Sequence, residues 1–453
     1  MFARLSSFLD KTFSISKKGG KVSIEIIAGL TTFMTMAYVL AVQPGAIVGF
    51  GSAGYTDLNG VYISAQAIMI MCAIVSGLIT LGMAFYANLP FALSTGMGSN
   101  FLFGALIHSQ TISFGGAMAI TLTSGIIFII LTMVGVRDLI VRMIPKNIKI
   151  GIGTAIGFFI AYLGFNNSGI GSFANGIGMG DYSNPAVLLA IGGLFLISAL
   201  EAYKVKGGIL IGILVTTVVG LFVTQGGVPI TNITHIFSVP QFQDVQNVIF
   251  QFDFAAILSW SAVPLIFITF CGDFFSTLGT VLGVAKKANM LDEDGNLPGI
   301  EKPFLVDAIG TAVGACTGCT TITTFVESSA GVEAGGRTGL TALTVSILFF
   351  LTIFFAPLFT AIPNAATGPA LIYIGFLLIK GFKDIDFSDF TECFAPFVML
   401  MFVAFGGGIA VGISMGILSY IFIKVVTRRF KDVHPGMYVL AIPLILYFVM
   451  SAM

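Results

Sequence analysis

Residues 320–340 read TTITTFVESSAGVEAGGRTGL. Two carboxylates, Glu327 and Glu333, stand in a segment interrupted by glycine and serine, and long apolar runs flank it on both sides. At the centre of a bilayer a carboxylate costs about 2.5–3.5 kcal/mol on insertion scales. A chain keeps one there when it faces a cavity, a partner or a ligand. Irregular backbone at membrane depth is tolerated only where protein buries it or where it lines a cavity. Both arguments predict a binding site inside a membrane-spanning protein.

The composition agrees. Of 453 residues, 56% are hydrophobic and 9% charged, against about 25% charged in a soluble domain. So few charges cannot solubilise a surface of this size, and the class is an all-α polytopic membrane protein. The 21 basic and 21 acidic residues cancel, which leaves no basic footprint for nucleic acid. The cysteines Cys72, Cys271, Cys316, Cys319 and Cys393 lie in or beside apolar segments. Cys316 and Cys319 have CxxC spacing, but small residues in tight helix packing explain them better than a redox or metal site. The first apolar run follows a basic stretch, is long and lacks a cleavage site, so it reads as a retained span.

Apolar runs fall at about 24–43, 62–86, 92–107, 114–135, 147–165, 184–200 and 207–225, then, after a polar stretch at 226–254, at about 255–284, 304–316, 324–337, 339–361, 366–381, 390–405 and 407–427. That predicts about fourteen spans, seven on each side of the polar stretch. A shorter segment at 437–452 reads as a membrane-dipping or interfacial tail. Basic residues mark the cytoplasmic connections: Arg4 to Lys21, Arg137 to Lys149, Lys204 and Lys206, Lys286 to Lys302, Lys380 and Lys383, and Arg428 to Lys431. The segments 44–61, 166–183 and 226–254 contain no Lys or Arg. Counting crossings from a cytoplasmic N-terminus puts every basic connection inside and every bare one outside.

The halves resemble each other. Ile144-Pro145 precedes Gly157-Phe158 at the spacing at which Ile362-Pro363 precedes Gly375-Phe376. Each pair opens a span that comes two spans after a glycine-interrupted one, Ser94–Asn100 (STGMGSN) or Phe325–Gly331 (FVESSAG). A seven-segment repeat must be inverted in the membrane, and interrupted segments at matching places in two halves are the best sequence pointer to a transporter site.

Thr320 to Phe325 is β-branched and aromatic and reads as a short extended stretch, with a half-helix opening near Glu327 and Ser328. Leu93-Ser94-Thr95 holds the same place in the first half. Two half-helices meeting there would aim free N–H groups at one spot. A third element is Cys271–Thr277 (CGDFFST), where Asp273 and Thr277 share a helix face at i, i+4. Candidate ligand contacts are Glu327, Asp273, Asn100, Thr277 and Ser328, with Phe33, Phe274 and Phe325 available to stack on a flat ring. Glu333 is expected to pair with Arg337, and Asp307 to bridge helices. Carboxylates and backbone N–H groups together suit a neutral ligand rich in N–H donors and ring acceptors. Asp273 and Glu327 have no basic neighbour in sequence. Either can therefore take a proton on one side and release it on the other.

The stretches TTFVESSAGVEAGGRTGLT, CGDFFSTLGT and STGMGSN resemble nucleobase–cation symporter family 2, in its adenine/guanine/hypoxanthine permease branch. The resemblance runs over nearly the whole chain. It implies the uracil-permease fold, with two inverted repeats of seven segments and short strands before the half-helices of segments three and ten. It implies a core domain at 23–136 and 255–361, a gate domain at 137–254 and 362–430, a cytosolic segment at 1–22 and a tail at 431–453. The family's base-gripping acids match Asp273 and Glu327, and its polar residue of segment three matches Asn100. In the uracil branch a histidine stands where this chain has Thr277, which argues against uracil. The resemblance further implies a multi-pass protein of a bacterial inner membrane, often a homodimer.

The expected function is import of adenine, guanine or hypoxanthine by proton symport with alternating access. Another nucleobase, a small anion or sodium coupling are the alternatives, although two acids would repel an anion. A passive channel lacks a ring of repeated charges within the chain. The absence of HExxH, of a nucleophile–histidine pair and of any cofactor motif argues against an enzyme or a bound cofactor.

Overall fold

The computed structural model describes residues 2–135, 145–172, 178–233, 235–259, 261–292, 297–405 and 409–451. Arg137, Arg142 and Ile144, residues 293–296 of the hydrophilic connection, 406–408 and 452 lie outside the described residues.

The apolar runs fold as helices because only a helix or a closed barrel satisfies its own backbone in lipid. A leading helix α1 (Phe2–Phe13) is followed by α2 (Val22–Met36) and α3 (Val39–Val48), which together make the first span. Next come α4 (Ala65–Gly82), strand β1 (Leu93–Thr95), α5 (Met97–His108) and α6 (Phe114–Val134). The first half closes with α7 (Lys146–Asn167), α8 (Pro185–Ala202) and α9 (Gly208–Gly220). The second half runs α10 (Ala262–Lys287), α11 (Glu301–Cys316), β2 (Ile322–Thr324), α12 (Ser328–Glu333), α13 (Gly339–Thr352), α14 (Asn364–Ile379), α15 (Phe390–Phe405) and α16 (Ile409–Val426). Among the described residues, eight helices are long and apolar enough to cross a membrane, and three shorter apolar ones accompany them. With α11 and the two strand–helix segments they make up the expected set of spans.

Local signals set the ends. Ser64, Ser113, Asn184 and Thr338 cap α4, α6, α8 and α13, each accepting a backbone N–H of the first turn. Pro145 and Pro363 stand at the N-caps of α7 and α14, so the sequence repeat marks two matched helix starts. Large apolar side chains such as Ile130, Phe195, Phe222 and Phe422 are exposed. That is the surface expected of helices facing lipid.

The interrupted segments meet. β1 and β2 pair antiparallel, Leu93 opposite Thr324, Ser94 opposite Thr323 and Thr95 opposite Ile322. The ladder is extended by Gly96 N–H donating to the Thr321 carbonyl (2.8 Å) and Phe325 N–H donating to the Ala92 carbonyl (3.0 Å). All six strand residues are buried. α5 and α12 therefore leave the crossing in opposite directions. α4, α10 and α11 pack around the strands, and α2 lies against α12.

A second symmetric contact lies between α7 and α14. A Cβ on Gly157 would stand 2.9 Å from the Gly375 carbonyl oxygen, and one on Gly375 would stand 2.5 Å from that of Gly157. The glycines of the repeat are thus where two related helices touch backbone to backbone, as small residues allow in membranes. The C-terminal segment is a helix, α17 (Pro435–Ser451). Met437 and Leu444 are fully buried, and α17 packs against α16 and α10, so it lies on the bundle.

Overpacking a close contact costs about 1–3 kcal/mol. Gly157→Val should therefore lower the unfolding temperature of the detergent-purified protein. Gly153→Ala, on the same helix with open space beside it, should leave it unchanged or raised. Equal melting of the two variants would contradict the packing described.

Candidate functional site

The strand crossing gathers three polar clusters. The first surrounds Glu327, which occupies the N-cap position of α12 with helical backbone angles and no side-chain cap bond. Its side chain is instead aimed across the crossing: the Tyr38 hydroxyl donates to Oε1 at 2.8 Å. Tyr38 stands where the first span breaks between α2 and α3. The Thr35 hydroxyl approaches the Glu327 carbonyl at 3.4 Å. Ser328 is fully buried, and its Oγ accepts the Ala92 N–H at 3.0 Å. Its hydroxyl therefore ties the start of α12 to the chain entering β1.

The second cluster joins α10, α11 and β2. Asp273 is buried and accepts from the Thr311 hydroxyl at 2.6 Å through Oδ2, while its Oδ1 is buried without a partner. Thr311 also accepts the Ile322 N–H at 3.1 Å, which hangs the acid on strand β2. Thr277, one turn further along α10, donates to Asp307 Oδ2 at 2.8 Å and contacts the Thr323 hydroxyl at 2.9 Å. Thr324 donates to the other oxygen of Asp307 at 3.1 Å. Asp307, read from sequence only as a helix bridge, is fully buried and belongs to the same network as Asp273 and Thr277.

The third cluster stitches the halves together. Asn100 is fully buried; its amide donates to Thr95 Oγ1 at 3.1 Å, and its Oδ1 accepts a short hydrogen bond from Thr320. Beside it Ser99 and Thr321 share a hydrogen bond of 2.6 Å. Asn100 thus spends both ends of its amide on the crossing itself.

The aromatic candidates divide. Phe33 is half-buried on α2 and meets Phe349 edge-on at 5.4 Å. Phe325 is buried, with its N–H in the strand ladder. Phe274 is buried in a cluster with Phe128, Phe270, Phe275 and Phe304, which removes it as a stacking surface. The expected Glu333–Arg337 pair does not form. Glu333 is exposed and pairs with Lys287 at 2.7 Å, because α12 ends there and its next turn unwinds. Arg337 instead donates through its guanidinium to the Val332 and Gly336 carbonyls at 2.6 and 2.7 Å, closing the end of the half-helix. Among the described residues Cys316 and Cys319 are free thiols.

Tyr38 and Glu25 escape the sequence reading, and Asp307 reads there as a helix bridge but not as part of the acid network. Tyr38 is one tyrosine in an apolar run, and no local signal points it at Glu327. Asp307 carried the same signal as Asp273, an acid inside an apolar segment. So did Glu25, which is fully buried and accepts from the backbone N–H groups of Arg337 (3.0 Å) and Thr338 (3.2 Å) and from the Thr341 hydroxyl. Glu25 holds the turn between α12 and α13, away from the strand crossing.

Residues 23–415 match the Permease family. Over nearly their full lengths, a permease-named protein of Methanocaldococcus jannaschii is 38% identical (98% of this chain, 99% of that one). The adenine permease AdeQ of Escherichia coli is 32% identical (95% and 93%). The guanine/hypoxanthine permease PbuO of Bacillus subtilis is 33% identical (95% and 98%). Among solved structures, the transmembrane domain of a cyanobacterium bicarbonate transporter BicA superposes with a TM-score of 0.59 at 15% identity, covering 88% of this chain and 96% of that one. The murine Slc26a9 anion transporter in its inward-facing state gives 0.58 at 12% identity, covering 90% and 68%. At those identities the likeness bears on the fold alone. By the family match and the full-length relatives, the chain is a multi-pass membrane protein of the nucleobase–cation symporter 2 family.

Proposed function

We propose that the protein is a secondary active transporter that imports purine nucleobases, adenine, guanine or hypoxanthine, by proton symport with alternating access. The observation that carries the reading is Asp273, a carboxyl group buried at the strand crossing with one oxygen left without a protein partner. A buried polar atom without a partner is costly, and a ligand N–H removes that cost. Glu327, held by Tyr38, supplies a second acceptor on the neighbouring half-helix. Both acids sit on second-half elements that hang from one two-stranded ladder, and Tyr38 of the first half holds Glu327, so a flat, N–H-bearing base can be held between them. Full-length relatives carry adenine and guanine/hypoxanthine permease names, which supports purines within this class.

Asp273 and Glu327 are the proposed base-gripping and proton-coupling residues, and Phe33 and Phe325 the apolar walls. Asn100, Thr277 and Ser328 act through the scaffold, since their polar atoms are committed to Thr320, Asp307 and Ala92. The lysines and arginines of the connections support a cytoplasmic N-terminus by charge asymmetry. An anion cargo has the fold in its favour but faces two acids at the site.

Uptake of labelled adenine, guanine, hypoxanthine, xanthine and uracil into cells lacking their own carriers, with and without an uncoupler, tests the reading. Purine accumulation that collapses with the proton gradient is expected. Accumulation indifferent to the uncoupler but dependent on sodium would replace the coupling ion. Asp273→Ala and Glu327→Ala should reduce uptake to background, while Glu333→Gln should be mild, because Glu333 lies at the exposed end of α12 and pairs only with the exposed Lys287. Full uptake by Glu327→Ala would remove the site.

Hydrogen bonds to charged groups are worth about 1.5–3 kcal/mol. Tyr38→Phe should therefore weaken base binding about ten-fold or more, measured on purified protein present at wild-type levels. Unchanged affinity would show that the Tyr38–Glu327 contact does not orient the acid.

A further inference from the structure

We propose that Asp273 and Asp307 form one proton-holding unit in which Asp307 is the fixed anion and Asp273 carries the transported proton; this rests on the symport reading above. Hydrogen-bond donors decide the assignment. Each threonine hydroxyl has one hydrogen to give. Thr277 gives its hydrogen to Asp307 Oδ2 at 2.8 Å and Thr324 gives its own to Oδ1 at 3.1 Å. Both oxygens of Asp307 are therefore served, the arrangement a buried carboxylate anion needs. Asp273 receives one hydroxyl, from Thr311 at 2.6 Å, on Oδ2, and its Oδ1 has no partner. An unserved oxygen is tolerable on a neutral acid and far more costly on an anion.

The surroundings offer no cation in place of the proton. Among the described residues neither acid is ion-paired. Of the elements packed against α10, α6, β2, α17 and the turn at 256–258 carry no acidic or basic side chain, and α11 carries, besides Asp307, Glu301 and Lys302, both exposed at its start. α5 carries His108 at its far end, and α16 carries Lys424, which pairs with Glu392 at 2.6 Å. α7 carries Lys146 and Lys149, and the Lys149 Nζ lies 5.1 Å from the ring centre of Phe275. α12 adds Glu333, paired with Lys287, and Glu327 at its N-cap, bonded to Tyr38. Two like charges buried side by side repel, so a single proton on Asp273 settles the pair.

The protonated acid has the right shape for the cargo. A neutral carboxyl group presents O–H and C=O side by side, matching a purine edge that sets an N–H beside a ring nitrogen or carbonyl. Proton and base then favour each other, the sign a symporter requires. On the inner side the Asp273 O–H bond breaks, the proton passes to water and the electron pair stays on the carboxylate. Asp307 is a positioning residue, acting through Asp273.

Two measurements decide it. In infrared difference spectra of the purified protein without base, stepped in pH, the wild type should show a protonated-carboxyl band that Asp273→Asn removes and Asp307→Asn retains. Loss of the band in Asp307→Asn with survival in Asp273→Asn would reverse the assignment and overturn the proposal. In guanine, adenine and hypoxanthine binding across pH, Asp307→Asn should move the midpoint of the profile toward acid by about one pH unit or more, a ten-fold change in proton activity. Asp307→Glu, which keeps the charge, should restore it. A wild-type midpoint in Asp307→Asn would also overturn the proposal. Failure of the wild type to bind any purine would sink the transport reading instead, and the spectra would still judge the pair.

Discussion

The antiparallel pairing of Leu93–Thr95 with Ile322–Thr324 is the constraint on which the rest of the molecule depends. A strand in a bilayer must find another strand or pay several kcal/mol for each unsatisfied backbone group. Each interrupted segment can meet that demand only through its counterpart in the other half. The pairing fixes where both half-helices begin, and so where Glu327 is placed. It also gives Asp273 its anchor, because Thr311 bonds at once to the acid and to Ile322. The polar atoms of the crossing are largely spent on one another, as with Asn100, Thr320, Ser99 and Thr321. The acid oxygen left over stands out for that reason.

Much of this was legible in the sequence. Apolar runs and the distribution of lysine and arginine predicted the spans, and the glycine-broken segments predicted the short strands and half-helices that meet. The repeat read from Pro145, Gly157, Pro363 and Gly375 turned out to mark matched helix starts and a backbone contact between α7 and α14. What stayed hidden was the direction of side chains. Spacing places Thr277 on the face of Asp273, but only the tertiary arrangement turns its hydroxyl to Asp307. Tyr38 meets Glu327 across 289 positions of sequence, a separation at which no local pattern carries information. Glu333 was paired with Arg337 by a helical rule that fails because the helix stops at Glu333.

The three buried acids of the described spans show how one residue type divides by donor supply. Glu25 receives two backbone N–H groups and a hydroxyl and acts as a structural clasp. Asp307 receives two hydroxyls and is satisfied without a ligand. Asp273 receives one and keeps an open oxygen. Burial alone would have ranked them together; counting donors sets Asp273 apart as the acid with an open oxygen.

The central claim is that a purine docks at the strand crossing against Asp273 and Glu327. The most direct measurement is a density map of the protein with guanine bound. The account predicts the base seated between those two carboxyl groups, with its N–H edge toward one of them. A base resolved elsewhere in the bundle, with both acids still in their ligand-free contacts, would contradict it.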